Sequence, residues 1–366
     1  MIRIRRGIVR SITSSRDGAV ELEVELDGAS QPAVAYPDLC GPVEPGETVL
    51  LNATAVELGL GTGGVHLVIA VEGRESQGGM GPQGHVIKAR YTPVQTAVAS
   101  VEETHAELLE RSAGLRGTPV VCAPLHSMVA PIAAGAKRAV PDLRIAYVMT
   151  DGAALPGGFS RLVAELRASA LLDGWITCGQ AFGGELEAVT VWSGLLAAKE
   201  LVEAEAIVVA DGPGNLGTET TWGVSALASG HALMAAETLG GRPIPALRMS
   251  FADRRDRHRG VSHHSLTILA DVCRVDVNVP VPVLEDDGQR ETVWGALRAR
   301  SLEERHHLVE VDGAPAIEEL RARGVQPRTM GRGIDDDPAF FLAAGAAGVL
   351  AGRMAAADRR WRSSLD

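Results

Sequence analysis

The densest run of chemically useful side chains is Arg254-Arg255-Asp256-Arg257-His258-Arg259, followed closely by Ser262-His263-His264-Ser265. Guanidinium groups gathered this way suit a carboxylate or phosphate, because each offers several N–H donors in a planar fork. Arg257 and Arg259 are the candidate anion clamp. Ser262 reads as a helix N-cap, which puts both histidines in the first helical turn. There His264 is a candidate acid–base group. As a metal ligand it would need partners such as His126, Asp151 or Asp211, but no HExxH or HxH spacing is present, so no metal site is assigned. The competing reading is an exposed charged loop with solvated histidines.

Further polar residues follow short apolar runs. Asp211-Gly212-Pro213-Gly214-Asn215-Leu216-Gly217-Thr218-Glu219-Thr220 combines three glycines with two threonines ahead of an expected helix over 221–239. Backbone N–H groups in such a loop can cradle an anion, making Asp211, Gly212, Gly214, Gly217, Thr218 and Thr220 candidate ligand-binding residues. The glycines match GxGxxG, but Pro213 and the long approach to the helix weaken a dinucleotide reading, and no GxxxxGK[ST] occurs. The alternative is a tight loop with helix-capping threonines. Asp151 and Asp211 each follow an apolar run and precede glycine, so each is either a proton-transfer carboxylate or an Asx turn. His126 and Gln180 complete the candidate site: His126 and Asp151 with His264 as catalytic candidates, Gln180 with the loop as ligand contacts.

Conventional nucleophile signatures are missing. Ser127, Ser160 and Ser193 lie outside any GxSxG elbow. The four cysteines, Cys40, Cys122, Cys178 and Cys273, are widely spaced with no CxxC, as expected of reduced thiols in a cytoplasmic protein. Cys178 before Gly179-Gln180 is the better of them as a nucleophile.

The elements that must position these residues fall into two patterns. Over 1–93, short alternating strands fit Ile2–Ile12, Ala19–Leu26, Gln31–Tyr36, Thr48–Asn52, His66–Val71 and Val86–Tyr91, punctuated by Pro and Gly. They predict a small β-barrel or sandwich with a structural or oligomerising role, and hence a homo-oligomer. Over 94–366, apolar strands at Pro119–Ala123, Arg144–Thr150, Gly174–Cys178, Ala206–Ala210, Ala246–Phe251, Arg274–Val279 and His307–Val311 alternate with helix-length segments. That predicts a doubly wound, mostly parallel, three-layer α/β (Rossmann-like) sheet whose ligands bind beyond the strand carboxyl ends. Residues 76–84 read as the most flexible stretch. The apolar run Pro338–Gly352 is too short to span a bilayer and reads as a buried helix. Asp335–Asp337 before it reads as helix-capping charge.

Several segments together resemble one family. Tyr36–Gly64, Ala123–Gly135 (APLHSMVAPIAAG), Tyr147–Pro156 (YVMTDGAALP), Thr177–Val189 (TCGQAFGGELEAV), Gly260–Thr267 (GVSHHSLT) and Met330–Gly348 resemble the bacterial domain of unknown function 3866 family. The resemblance implies a bacterial, cytoplasmic protein and brings no activity or cofactor.

Composition narrows the partner. The 366 residues carry a net charge of −11, and only 4% are aromatic. Acidity disfavours nucleic acid and anionic membranes, and scarce aromatics disfavour base-stacking platforms. Yet arginine is concentrated at residues 3–16, 254–259 and 353–362, and the middle island adjoins the histidine pair. Lysine is limited to Lys88, Lys137 and Lys199. The leading reading is an enzyme or binding protein for a small anionic metabolite, perhaps phosphorylated. The alternative is a non-catalytic scaffold whose β-domain recruits a partner.

Overall fold

The computed structural model describes residues 2–60, 63–75 and 84–362. Most of the stretch expected to be flexible, 76–84, lies outside them.

Alternating side chains close the first strands into a barrel rather than a sandwich. Strands β1 (Ile4–Arg16), β2 (Ala19–Leu26), β3 (Ala29–Ala35), β4 (Thr48–Asn52) and β5 (His66–Val71) form a closed barrel in the order β1-β2-β3-β5-β4. All neighbours are antiparallel except β3 and β5. Inward positions, including Val9, Leu22, Val24, Val49 and Leu51, fill the interior. A hairpin follows, β6 (Val86–Lys88) and β7 (Thr96–Val98).

The second part is built on a six-stranded parallel sheet. Strands β8 (Pro119–Cys122), β9 (Ile145–Thr150), β10 (Gly174–Thr177), β11 (Leu186–Glu187), β12 (Ala206–Asp211) and β13 (Arg242–Pro245) lie in the order β11-β10-β9-β12-β8-β13. Continuous apolar runs are what a sheet covered on both faces requires. Successive residues serve opposite cores: Ile207 and Val209 face one, Ala206, Val208 and Ala210 the other. The helices Val129–Ala139 and Arg161–Ala168 cover the second face, and Val191–Glu200 and Ala228–Thr238 the first.

This partition creates a switch point. β8 and β12 are neighbours, yet the helices that follow them pack on opposite faces. The loops leaving their carboxyl ends therefore diverge and open a crevice.

Three expectations need correction. The sixth sheet strand is Arg242–Pro245, not Ala246–Phe251. Its two prolines suit an edge, where one side of the strand needs no ladder partner. Met249–Ser250 (β14) instead pairs with Gly260–Val261 (β15) in a small hairpin. The last two expected strands do not join the main sheet. Asn278–Pro282 (β16) and His307–Val311 (β17) form their own parallel pair. The helix Asp287–Arg298 between them has two buried side chains, Val293 and Leu297, too few to mark a stripe in the sequence.

The last helix, Pro338–Arg362, is longer than its apolar run suggests. It is long and apolar enough to cross a membrane, but 78% of its most apolar window is buried inside the fold. Small residues let it press against Val129–Ala139. A Cβ on Gly348 would stand 2.0 Å from the Ile132 carbonyl oxygen, so only glycine permits this approach.

All three lysines are buried, and each has an acceptor: Lys88 on the Ala181 and Ala188 carbonyls (2.9 Å each), Lys137 on Asp173 (2.9 Å), Lys199 on the Ala204 carbonyl (3.3 Å). Lys88 also lies 3.4 Å from Glu187 at the edge strand β11. The hairpin β6–β7 is thereby tied to the α/β sheet.

Candidate functional site

The loops at the switch point, joined by the segment after β13, enclose a cleft of about 810 Å³. After β8, Pro124-Leu125-His126-Ser127 forms one wall, and after β12 Pro213–Thr218 forms another. Arg161 and Leu162 from the helix after β9, and Gln326–Met330 ahead of the last helix, close the sides. The β14–β15 hairpin and the residue leading into it supply Arg248, Arg255, Arg257 and His258, and the helix His263–Thr267 after it supplies His264. The lining thus carries five arginines, and among the described residues one carboxylate, Glu165.

His126 opens a 3-10 turn and is buried. Its Nε2 lies 2.7 Å from Ser160 Oγ, and its Nδ1 lies 3.1 Å from Tyr147 Oη and 3.3 Å from the Asp211 carbonyl. The hydrogen-bond pattern assigns the proton to Nδ1. Ser160 Oγ then donates to Nε2 while accepting Val163 N–H, as the N-cap of its helix. Burial pushes the His126 pKa down to about 4, so the ring is neutral at pH 7. Both ring nitrogens are occupied, and His126 acts as a rigid wall joining β8, β9, β12 and the Ser160 helix.

The charged face is only partly neutralised. Arg255 grips Asp253 with two bonds, Nε to Oδ1 at 2.9 Å and a terminal nitrogen to Oδ2 at 2.8 Å. That grip holds Asp253 well below the usual carboxylate range. Arg248 is buried and reaches the same Asp253 only at 3.5 Å. Its desolvation, together with Arg255 nearby, lowers its pKa to about 10. Arg257 meets the exposed Glu219 at 3.3 Å, while its own Nε is buried without a hydrogen-bond partner.

Behind this face stand three histidines. Ser262 is the N-cap expected from the sequence: its Oγ accepts His264 N–H at 3.3 Å and lies 2.8 Å from His258 Nδ1. The ring centroids of His258, His263 and His264 are 4.0–5.2 Å apart, and one ring nitrogen of each lies within 4.8 Å of the others. The Nε2 atoms of His263 and His264 are buried with no hydrogen-bond partner. Each such orphan costs about 1–3 kcal/mol, which a packing role alone does not explain. Burial and then neighbouring cations depress all three pKa values, to about 3 for His258 and about 4 for His264. The rings are neutral, as metal ligands must be.

The fold gathers some of the expected site residues and disperses others. His126, Gly214, Gly217, Thr218, Arg257 and His264 line the cleft. Arg259 is exposed and outside it. Gln180 and Asp151 are also outside: the Gln180 N–H donates to Asp151 Oδ2 at 2.7 Å, and its Oε1 accepts Arg90 N–H at 3.3 Å. The Asp211 carboxylate is buried and absorbed by Thr150 Oγ1 (2.7 Å), Gly152 N (3.2 Å) and Asn215 Nδ2 (3.1 Å). Asp151 and Asp211 therefore staple loops. Gly212 is a packing residue, since a Cβ there would meet the Ala154 carbonyl oxygen at 2.5 Å. Thr218 and Thr220 bond to each other (2.8 Å) and to Gly223. They do not cap the next helix, which starts at Ala228 after a 3-10 turn. Asp337 is buried between Ser250 Oγ (2.7 Å) and Arg332 Nε (3.1 Å), fastening the last helix beside the hairpin.

Other cleft residues carried no motif. Arg248, Arg161 and Arg328 are isolated in sequence, and His258 has no motif beyond its place in the charged run. All four cysteines are free and buried, and burial pushes the Cys178 thiol far up, away from nucleophile chemistry.

Fold and cleft together define a two-part protein, a closed β-barrel followed by a three-layer α/β unit with an arginine- and histidine-lined cleft at its switch point. The chain belongs to the family described as Protein of unknown function (DUF3866), whose profile matches residues 32–348. No curated protein matches it.

Proposed function

We propose that the cleft binds a small anionic metabolite, its carboxylate or phosphate group held by Arg248 and Arg257. One observation carries the reading. Two arginines at least partly withdrawn from water line the cleft without a closely fitted acid: Arg248 shares an Asp253 already gripped by Arg255, and Arg257 leaves Nε unbonded. A buried cation short of partners is costly, and an anion would supply the missing acceptors. Leu125, Leu162, Leu216 and Met330 offer apolar surface to the rest of the ligand.

The test is thermal shift and calorimetry with inorganic phosphate, nucleotides and di- and tricarboxylates. At least one class should raise Tm and bind more weakly as salt increases. Arg257→Gln should weaken that binding tenfold or more, about 1.4 kcal/mol. No response to any of these anions would overturn the reading in favour of a scaffold.

A further inference from the structure

We propose that His258, His263 and His264 form a site for one divalent transition metal ion, zinc foremost, whose open coordination positions face the arginine-lined cleft. Three convergent imidazoles are a donor set suited to zinc, copper, iron or nickel and unsuited to calcium or magnesium. The two buried Nε2 atoms without partners, on His263 and His264, are the second observation. They are buried and bond to nothing in the protein, in rings that each bring one nitrogen within 4.8 Å of the others.

The surroundings have the features of a ligand shell. Ser262 is buried, and its hydroxyl engages His258 Nδ1, fixing that ring and leaving its other nitrogen clear of this bond. Metal-bound histidines are held by such outer hydrogen bonds. The same hydroxyl caps the helix that carries His263 and His264, so one residue orients all three ligands. Zinc–nitrogen bonds of about 2.0–2.1 Å imply ligand nitrogens about 3.4 Å apart, so binding draws the rings slightly inward. Three protein ligands leave one or more positions for water or substrate, the arrangement of a catalytic rather than a structural zinc site. His258 and His264 line the cleft, which sets the open side toward it.

Charge couples the metal to the anion. Arg248, Arg255 and Arg257 stand around the cluster, and the nearby Asp253 is engaged by Arg255 and Arg248. These cations oppose a bare dication. A bound anion offsets them, so metal and anion should strengthen each other's binding by the same factor.

The experiment uses untagged full-length protein stripped with a chelator. Equilibrium dialysis against zinc should give about one equivalent per chain. His264→Ala and His263→Ala should each lower zinc affinity a hundredfold or more. Cobalt should give intense tetrahedral visible bands without a thiolate charge-transfer band, and this wild-type signal stands even where a histidine variant fails to fold. In anion-free buffer Arg257→Gln should bind zinc at least as tightly as wild type, which separates this site from the anion reading. Wild-type protein that takes up no zinc and yields no cobalt spectrum overturns the proposal, as does full zinc affinity in His264→Ala.

Discussion

Ser262 Oγ lies 2.8 Å from His258 Nδ1 while serving as N-cap to the helix that begins at His263. One hydroxyl thus caps the start of a helix and orients the ring of a residue four positions earlier in sequence. Ser262→Ala should lower unfolding stability by about 2 kcal/mol, combining a lost cap with a stranded buried nitrogen. It should also weaken zinc binding about 10–100-fold, while Ser262→Thr retains most of both. Urea unfolding and zinc dialysis of the two variants read this out.

His126 predicts acid sensitivity. Its pKa is about 4 in the fold and near 6.5 when exposed. Between those values the unfolded chain binds the proton that the folded chain refuses, so stability rises with pH there and is fully present above about 6.5. The loss on acidification from pH 6.5 to 4 should approach about 3 kcal/mol from this residue. Denaturant titrations across that window measure it, and His126→Gln should flatten the slope at the expense of stability at pH 7.

The buried pair Lys88–Glu187 predicts an asymmetric double-mutant cycle. Lys88 is wholly buried, and Glu187 is nearly so, bonded to Thr177 Oγ1 and Gly183 N–H. Lys88→Met strands the carboxylate and should cost about 3–5 kcal/mol. Glu187→Gln alongside it should recover part of that loss, because no uncompensated charge remains. Equal costs for the single and double variants would contradict the pairing.

Two glycines on helices should respond in opposite directions. Gly348→Ala forces a Cβ against the Ile132 carbonyl and should destabilise by more than about 2 kcal/mol. Gly295→Ala, in the exposed middle of Asp287–Arg298 with open space around it, should stabilise by about 0.5–1 kcal/mol. Thermal unfolding of both variants checks the sign.

Much of this architecture was legible in the residues themselves. Alternation in β1 and β2 and the apolar runs of β8, β9, β10 and β12 mark strands directly, because burial of one face or two imposes period two or none. The Ser262 cap was equally local, a matter of side chain and backbone within three residues. What the chain could not disclose is which separate segments meet. Arg242–Pro245 was hidden by prolines that only an edge position tolerates. Asp151, Asp211 and Gln180 sit at strand ends as expected, yet their polar atoms are consumed by neighbouring loops. The arginine island divides: Arg257 turns into the cleft and Arg259 does not.

The sequence by itself determined a small β domain ahead of a mostly parallel α/β sheet and the local cap on the histidine helix, because those follow from periodicity and short-range hydrogen bonding; closure of the β domain into a barrel was left to the tertiary structure. Only the tertiary structure decided that β8 and β12 lie side by side with their helices on opposite faces. That adjacency opens the cleft, and the folding of the β14–β15 hairpin brings Arg248 and Arg257 to it and His258 against His263 and His264. Such convergence depends on long-range packing and hydrogen bonds between distant segments, which no local pattern encodes.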